Sequence, residues 1–371
     1  MLKKLFTKSP LNKGGIHCCK VPVQVEEEAL RNLLNAKNIM VIGAGGEVGG
    51  CICQIAARFG PLNLLMVDFL EDPLYENYTK LASNFPSIRF WPLLGKAHDF
   101  ERMEKLFDEH KPAVVIYAAG AGHKRRDLKE WLEKHGERTE VFKRSLDSNI
   151  HGLMITVSKA IKHGTKQFIL ISPVDIQGLE KNTGQINKNN KYSVVARFAE
   201  AWLQLMGKRN RIDCCVVRFK PPLDSSKGFL SFFEESIMQK KTLQILEEES
   251  ISKLFLDQAS LLSLYCGSKY RDGDVLVLDA GEIRLAVLVD NLISLEGIDC
   301  RFKVKTGLSG DQDKGEINRS KILETTSEHQ FIYKDDCSFY DKNKLQREIQ
   351  RLKNNLEIEF IGFTDNLLKK L

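Results

Sequence analysis

The chain has 371 residues, of which 43% are hydrophobic and 28% charged, and its formal net charge is +6 at pH 7. This composition is ordinary for a globular protein, and the length allows one large α/β domain with a smaller lobe. The positive charge is spread along the chain rather than gathered into one basic block, which argues against nucleic acid as the main partner.

Membrane and metal functions are also disfavoured. No run of about 18 or more uncharged apolar residues is present, so no membrane span is predicted. The N-terminal sequence MLKKLFTKSPLNKGG has basic residues but lacks the apolar core of a signal peptide, and we expect a cytoplasmic protein. The nine cysteines include no CxxC pairing, so we expect reduced, mostly buried thiols and no metal site.

The most informative segment begins with a short apolar run at 39–42, which predicts a buried strand. The run stops at the glycine-rich sequence GAGGEVG, residues 43–49, where a helical pattern begins. Glycines at 43, 46 and 49 allow the backbone to turn sharply and to approach a diphosphate closely. The N-terminus of the following helix would point its N–H groups at that diphosphate.

A second apolar run at 64–67 ends in Asp68, nineteen residues beyond Gly49. A dinucleotide-binding unit places at this point the carboxylate that binds a ribose 2′-hydroxyl. Strand, glycines, helix, strand and acid in this register predict a Rossmann-type dinucleotide site. The alternative is a glycine-rich turn that only packs a helix against the sheet.

Beyond Asp68, short apolar runs continue to alternate with helical patterns, which is typical of a parallel sheet covered on both faces. The patterns predict strands at 88–93, 113–118, 167–172 and 213–218, and helices at 99–109, 137–162 and 192–206. Shorter segments follow Pro221 and Pro222: helices at 229–240, 256–266 and 283–295, and strands at 243–246, 275–278 and 300–304. These shorter segments predict a small α/β substrate lobe.

The predicted organisation is therefore a leader and helix at 1–37, a Rossmann domain at 38–220, a substrate lobe at 221–306 interleaved with it, and a polar loop with an amphipathic helix at 307–371. That last helix either packs on the body or mediates homo-oligomerisation. The densest basic cluster, at 123–126, is either a solvated loop or a contact for a phosphate-bearing substrate.

With these residues in place, the chain resembles the extended short-chain dehydrogenase/reductases. More narrowly it resembles their CapD-like polysaccharide-biosynthesis branch, which contains nucleotide-sugar 4,6-dehydratases and epimerases. The resemblance rests on separate blocks in the same order along the chain: GAGGEVG, VDFLEDPLYE, KPAVVIYAAGAGHK, SNIHG, KQFILIS, CCVVRF and LDAGE.

This resemblance implies a bound NAD or NADP and a nucleoside diphosphate sugar as substrate. Asp68 would hold the adenosine ribose, and its carboxylate favours NAD because it repels a 2′-phosphate, although Arg89 or Lys96 could still reach one. Asn149 would hold the long helix against the fourth strand. The other cofactor positions implied are Gly43, Gly45, Gly46, Glu47, Val48 and Gly49 at the diphosphate, and Ala118, Ala119 and Gly120 at the nicotinamide-side ribose.

The catalytic positions depart from the family pattern. The family follows its fifth strand with serine, threonine, aspartate and lysine, whereas this chain has Ser172 followed by Pro-Val-Asp. The family's tyrosine is followed four residues later by a lysine, whereas here Tyr192 is followed by Ala196. The remaining catalytic candidates are Tyr192 as base and Ser172 as the group that orients the sugar hydroxyl.

The missing lysine matters because a free tyrosine has a pKa of about 10. An ammonium at about 4 Å would favour the phenolate by about 4 kcal/mol in an effective dielectric near 20. Lys181, Lys188 or Lys191 could supply that ammonium from the segment before and at the start of the helix. Two hypotheses stay open: a working dehydratase or epimerase, and a non-catalytic dinucleotide- or nucleotide-sugar-binding protein with a regulatory or subunit role.

Overall fold

The computed structural model of the chain describes residues 22–119, 147–172, 191–210, 212–225, 243–246, 250–296, 302–305 and 329–334. Several predictions lie outside these residues: the leader, the helix at 229–240, the basic cluster at 123–126, Gly120, most of the loop at 306–330 and the C-terminal helix. Within the described ranges, no helix combines the length and the apolarity needed to cross a bilayer.

Strands and helices alternate along the described chain. The strands are β1 (Asn38–Ile42), β2 (Asn63–Asp68), β3 (Arg89–Leu94), β4 (Val114–Tyr117), β5 (Gln167–Ser172), β6 (Asp213–Phe219), β7 (Leu243–Leu246), β8 (Ser250–Ser252), β9 (Asp274–Leu278), β10 (Glu282–Arg284), β11 (Phe302–Lys305) and β12 (Ile332–Lys334). The α-helices are α1 (Glu27–Leu34), α2 (Glu47–Ala57), α3 (Glu71–Asn84), α4 (Phe100–His110), α5 (Leu153–Lys162), α6 (Lys191–Asn210), α7 (Leu256–Lys269) and α8 (Leu285–Glu296). A π-helical turn, Asp147–Gly152, leads directly into α5.

The main sheet has eight strands in the order β12-β9-β6-β5-β4-β1-β2-β3. Its strands pair in parallel except β12, which runs antiparallel to β9 at the edge. The strand order reverses direction at β1, and ligands of such sheets bind at the carboxyl ends of the strands beside this switch point. The predicted doubly wound parallel sheet is therefore confirmed.

Alternate residues of each buried strand face two separate cores. One core packs α1, α2, α3 and α7 on one face of the sheet, with Val41, Ile169 and Val217 among its members. The other packs α4, α5 and α6 on the opposite face, with Ile42, Phe168 and Val216 among its members. This double coverage explains why the central strands are apolar without interruption rather than alternating.

The C-terminal part of the chain differs from the sequence prediction, since the helix predicted for the lobe at 256–266 is part of α7 and packs in a core of the main sheet. Residues 275–278, which we assigned to the substrate lobe, belong to β9 and pair with β6 in the main sheet. An apolar run of this kind fits a strand that is buried on both faces, and periodicity alone cannot say which sheet it joins. Two small two-stranded sheets stand apart from the main sheet, β8 with β10 and β7 with β11. The division of the chain into domains stays a prediction.

An ion cluster ties α4 to α5 on one face of the sheet. The Glu104 carboxylate contacts the Lys159 ammonium, the Lys162 ammonium at 2.5 Å and the His163 ring at 3.0 Å. Lys159 is only 3% exposed, and its ammonium also lies 3.2 Å from the centre of the Phe100 ring. The hydrogen bond from Lys159 is the main reason that the pKa of Glu104 is lowered from 4.5 to about 2.

This cluster predicts a defined pH dependence of stability. Because the pKa of Glu104 is lower in the folded chain, its stabilising effect is complete above pH 4.5 and is lost as the pH falls towards 2. The difference in the free energy of unfolding between the wild type and Glu104→Gln should therefore narrow as urea titrations move from about pH 6 to about pH 3. Glu109→Gln is the control, since the Glu109 carboxylate is half exposed and lies 3.8 Å from the Lys105 ammonium in a surface ion pair within α4. A constant difference for Glu104→Gln across this range would contradict the assignment.

Candidate dinucleotide and substrate site

The glycine turn between β1 and α2 is built by backbone packed directly on backbone. Gly43 has a φ of +88° and its N–H donates to the carbonyl of Val67 at 2.8 Å. A Cβ atom at Gly43 would lie 2.8 Å from the backbone of Ala118 and Ala119. Any side chain here would therefore meet both an unfavourable backbone conformation and the end of β4.

The start of α2 is packed just as closely against this turn. A Cβ atom at Gly49 would lie 2.1 Å from the Gly43 carbonyl oxygen, and one at Gly46 would lie 3.2 Å from the same atom. Gly46 is the N-cap residue and contributes no side-chain cap. Position 46 therefore places no side chain at the N-terminus of α2. That geometry suits a bound diphosphate.

Asp68 ends β2 beside the glycine turn. Its Oδ2 accepts the N–H of Gly45 at 2.9 Å, and its Oδ1 accepts the N–H of Leu70 at 3.0 Å. A Cβ atom at Gly45 would lie 3.0 Å from this carboxyl group. Each carboxylate oxygen can accept a further hydrogen bond, so Asp68 can still bind a ribose hydroxyl.

The structure thus brings together most of the predicted cofactor positions. Gly43, Gly45, Asp68, Ala118 and Ala119 lie around one turn at the switch point of the sheet. Glu47 and Val48 form the first turn of α2 above them. The arrangement fits a dinucleotide because the tight glycine turn places the N-terminus of α2 where its diphosphate would lie, and a carboxylate stands where its ribose would lie.

Ser172 ends β5 on the face of the sheet that α6 covers. It pairs in register with Arg218 of β6, and registered residues of parallel strands point to the same side. Both side chains are buried, with Ser172 only 4% exposed. Ser172 therefore lies at the carboxyl edge of the sheet, on the side of the helix that carries Tyr192.

Helix α6 runs without a break from Lys191 to Asn210 and therefore fixes the spacing of its residues. Tyr192, Ala196 and Glu200 follow one another at intervals of four, so they lie on one face of the helix. Ala196 is half-buried in the middle of this row. The position of the family's lysine is consequently occupied by the methyl group of Ala196. Because α6 is continuous, no other residue of the helix can take this position relative to Tyr192.

A buried ion pair anchors this face of α6 to the sheet. The Arg218 Nε donates to Glu200 Oε1 at 2.8 Å, and its Nη2 contacts Glu200 Oε2. Both side chains are 3% exposed. The pair carries no net charge, so Arg218 is not a substitute for the missing ammonium.

Asn149 lies in the π-helical turn that precedes α5, and α6 packs against this turn. Single π-helical turns are rare and are often found at functional sites. The long helix predicted at about 137–162 is helical over 147–162, with π-helical hydrogen bonding at 147–152 followed by α5, and residues 137–146 lie outside the described residues.

Lys220 directly follows β6 at the carboxyl edge of the main sheet. Its ammonium contacts the Glu282 carboxylate of β10, which also accepts the hydroxyl of Ser250 in β8. The contact ties the end of β6 to the small β8–β10 sheet and balances the charge of Lys220.

Sequence reasoning missed three residues that shape this site. Glu200 and Arg218 form the buried pair, and Asn77 of α3 donates to the carbonyl oxygens of the glycine turn. Asn77 was detectable in principle because it interrupts the apolar stripe formed by the buried Leu74 and Leu81. The pairing of Glu200 with Arg218 had no local signal, since the two residues come together only when α6 packs on β6.

Fold and site together define a Rossmann-type protein of the extended short-chain dehydrogenase/reductase class. The sequence profile of the polysaccharide biosynthesis protein family matches residues 39–334, and the chain belongs to this family. It is 28% identical over 280 residues to the probable polysaccharide biosynthesis protein EpsC of Bacillus subtilis, covering 74% of this chain and 43% of that one. It is 24% identical over 346 residues to the capsular polysaccharide biosynthesis protein CapD of Staphylococcus aureus, covering 91% of this chain and 54% of that one. The chain thus spans about half the length of these curated relatives.

Solved structures agree on the fold. The Bordetella bronchiseptica enzyme WbmF in complex with NADH superposes with a TM-score of 0.58 at 16% identity, over 91% of this chain and 96% of that one. The UDP-glucose 4-epimerase of Thermotoga maritima with UDP-glucose superposes with a TM-score of 0.56 at 20% identity, over 74% of this chain and 87% of that one. The resemblance to CapD-like extended short-chain dehydrogenase/reductases is confirmed.

Two glycine substitutions in the same turn should differ sharply in effect. Gly49→Ala places a Cβ atom 2.1 Å from the Gly43 oxygen and must displace backbone, whereas Gly46→Ala meets the same oxygen at 3.2 Å. We expect Gly49→Ala to raise the Kd for NADH by roughly tenfold or more and to lower the melting temperature. Gly46→Ala should change both the Kd and the melting temperature less. Calorimetric titration and thermal unfolding measure the two effects. Equal behaviour of the two variants would contradict the close packing of α2 on the turn.

Single and double substitutions of the buried Glu200–Arg218 pair should change the free energy of unfolding by different amounts. Arg218→Met leaves the Glu200 charge buried without its partner, and we expect a loss of about 3–5 kcal/mol in the free energy of unfolding. Arg218→Met with Glu200→Leu should lose less than Arg218→Met alone, because no charge stays buried. The control is Arg271→Met, which removes an exposed pair with Asp213 and should cost about 0–1 kcal/mol. A double variant less stable than Arg218→Met would contradict this account.

Proposed function

We propose that this chain binds a nicotinamide dinucleotide at the glycine turn and a nucleoside diphosphate sugar beside it, and that it does not turn the sugar over by itself. It would act in polysaccharide biosynthesis as a regulatory protein or as a subunit beside an active enzyme. The single observation that carries this proposal is Ala196, which stands in an unbroken helix where proton transfer by Tyr192 needs a cation.

The cofactor part of the proposal is supported by the glycine turn and Asp68. When bound, a nicotinamide dinucleotide supplies reversible acceptance of a hydride. The chain's own contribution is to orient the diphosphate over α2 and the ribose against Asp68. NAD is favoured over NADP because the Asp68 carboxylate is held in place by the N–H groups of Gly45 and Leu70 and would repel a 2′-phosphate. The NADH complex of WbmF supports the same class of cofactor.

The nucleotide-sugar part is supported by the family and by the epimerase structure with UDP-glucose. The catalytic part is weakened by the chemistry at Tyr192. A free phenol with a pKa of about 10 is about 0.1% ionised at neutral pH, so an unassisted tyrosine is a poor general base. Ser172 could still orient a sugar hydroxyl without removing its proton.

A working dehydratase or epimerase is the second candidate, and one observation favours it. Ser172 is buried at the carboxyl edge on the face of α6, and Tyr192 is kept in the first turn of that helix. If Lys181 or Lys188 supplied an ammonium beside Tyr192, the base would be restored.

Binding and turnover separate the two candidates. We expect saturable binding of NADH by calorimetry, weaker binding of NADPH, and no keto-sugar product from UDP-N-acetylglucosamine with added NAD. Absence of binding to both NADH and NADPH would refute the cofactor proposal. A keto-sugar formed by the wild type at a useful rate would refute the non-catalytic proposal and establish the second candidate.

Restoring the lysine tests the reason given for the lost turnover. Ala196 is only half-buried, so Ala196→Lys can extend its ammonium along the row that contains Tyr192. Such an ammonium favours the phenolate by about three pKa units, so Ala196→Lys should form a measurable amount of keto-sugar where the wild type forms none. Ala196→Met is the control, because it has a similar length without the charge. Equal turnover by the Lys and Met variants would show that the cation is not the limiting group.

A further inference from the structure

Asn77 of α3 reaches across to the glycine turn. Its Nδ2 donates to the carbonyl oxygen of Ala44 at 2.9 Å and to that of Gly45 at 3.3 Å. The two N–H bonds of one amide group thus serve two successive carbonyls of the turn. The contact spans 33 residues of sequence, so it exists only because α3 packs beside α2.

The peptide group between Ala44 and Gly45 is held at both of its ends. Its carbonyl accepts from Asn77, and its N–H donates to Asp68 Oδ2 at 2.9 Å. Carbonyl and N–H of a trans peptide point in opposite directions, so two partners on opposite sides fix the orientation of its plane. Without them this plane could rotate, because the residue that follows it is a glycine.

Helix α2 packs closely against the Asn77 amide at Gly50. A Cβ atom at Gly50 would lie 2.4 Å from Asn77 Nδ2, so a side chain at position 50 would displace this amide from the turn. The first turn of α2 and the glycine turn are therefore both placed relative to Asn77. These are the elements to which the proposed function assigns the diphosphate.

We propose that Asn77 is a positioning residue for dinucleotide binding, which fixes the peptide between Ala44 and Gly45 so that the turn and the first turn of α2 are preformed for a diphosphate. This inference rests on the proposed cofactor site. It adds that the affinity of the site depends on one amide outside the glycine motif, which couples the turn to the carboxylate of Asp68 through a single peptide group.

The side-chain chemistry makes the proposal specific to an amide. A carboxylate at 77 has nearly the same shape but presents acceptors to two carbonyl oxygens, which removes both hydrogen bonds and adds repulsion. Protonation of that carboxylate returns one donor. The replacement is therefore disruptive in a way that acid can partly reverse.

Asn77→Asp tests this with NADH, ADP-ribose and adenosine as probes on the full-length chain. We expect the Kd for NADH and for ADP-ribose to rise at least tenfold, roughly, at about pH 8, with a clearly smaller rise for adenosine, which lacks the diphosphate. The loss should shrink between about pH 8 and about pH 5 in the variant relative to the wild type, because the two facing carbonyl oxygens favour the protonated form and raise the pKa of the introduced carboxyl above its ordinary value. Thr79→Ala, on the exposed side of the same helix, is the control and should leave all three affinities unchanged.

The outcomes separate this inference from the proposed function. A wild type that binds NADH together with an Asn77→Asp variant of equal affinity overturns the inference and leaves the cofactor site standing. Equal losses for adenosine and NADH, or a loss that acid does not reduce, show that Asn77 has only a structural role and also overturn it. A wild type that binds none of the probes refutes the proposed function itself.

Discussion

The close approach of helix α2 to the turn that precedes it is the constraint on which the rest of the structure depends. A Cβ atom at Gly49 would lie 2.1 Å from the Gly43 carbonyl oxygen, and one at Gly43 would lie 2.8 Å from the end of β4. Three backbone segments therefore meet without side chains between them. This contact fixes where the N-terminus of α2 points, and it brings Asp68 within reach of the Gly45 N–H.

The predicted cofactor positions and the predicted catalytic positions differ in how closely they match the family pattern. The cofactor positions keep the glycines, the carboxylate and an added amide from Asn77 that braces the turn. The catalytic positions keep Ser172 and Tyr192 on one side of the sheet, but Ala196 replaces the cation between Tyr192 and the buried Glu200–Arg218 pair. The buried Glu200–Arg218 pair holds α6 on the sheet, and this packing does not depend on whether the helix performs chemistry.

Much of the fold could be predicted because its signals are local. The apolar runs at 39–42, 64–67 and 167–172 lie in β1, β2 and β5, and the acid at the end of β2 occupies the position that the glycine spacing implied. Less could be predicted where the structural role of a segment depends on residues that are far away in the sequence. The run at 275–278 reads equally well as a lobe strand or a sheet strand, and only pairing with β6 decides between them. The π-helical turn at 147–152 likewise has a helical sequence pattern, and its altered hydrogen bonding arises where α6 packs against it.

By itself, the sequence determined the class of fold, the position of the glycine turn, the carboxylate at the end of β2 and the absence of a lysine at position 196, since these depend on residue identity and on spacing along one chain. The tertiary structure alone decided that Arg218 meets Glu200, that Lys220 meets Glu282 and that Asn77 braces the peptide after Ala44. The physical reason is that each of these contacts joins residues from different elements. Their separation is set by how helices and strands pack, and no local pattern in the chain encodes that distance.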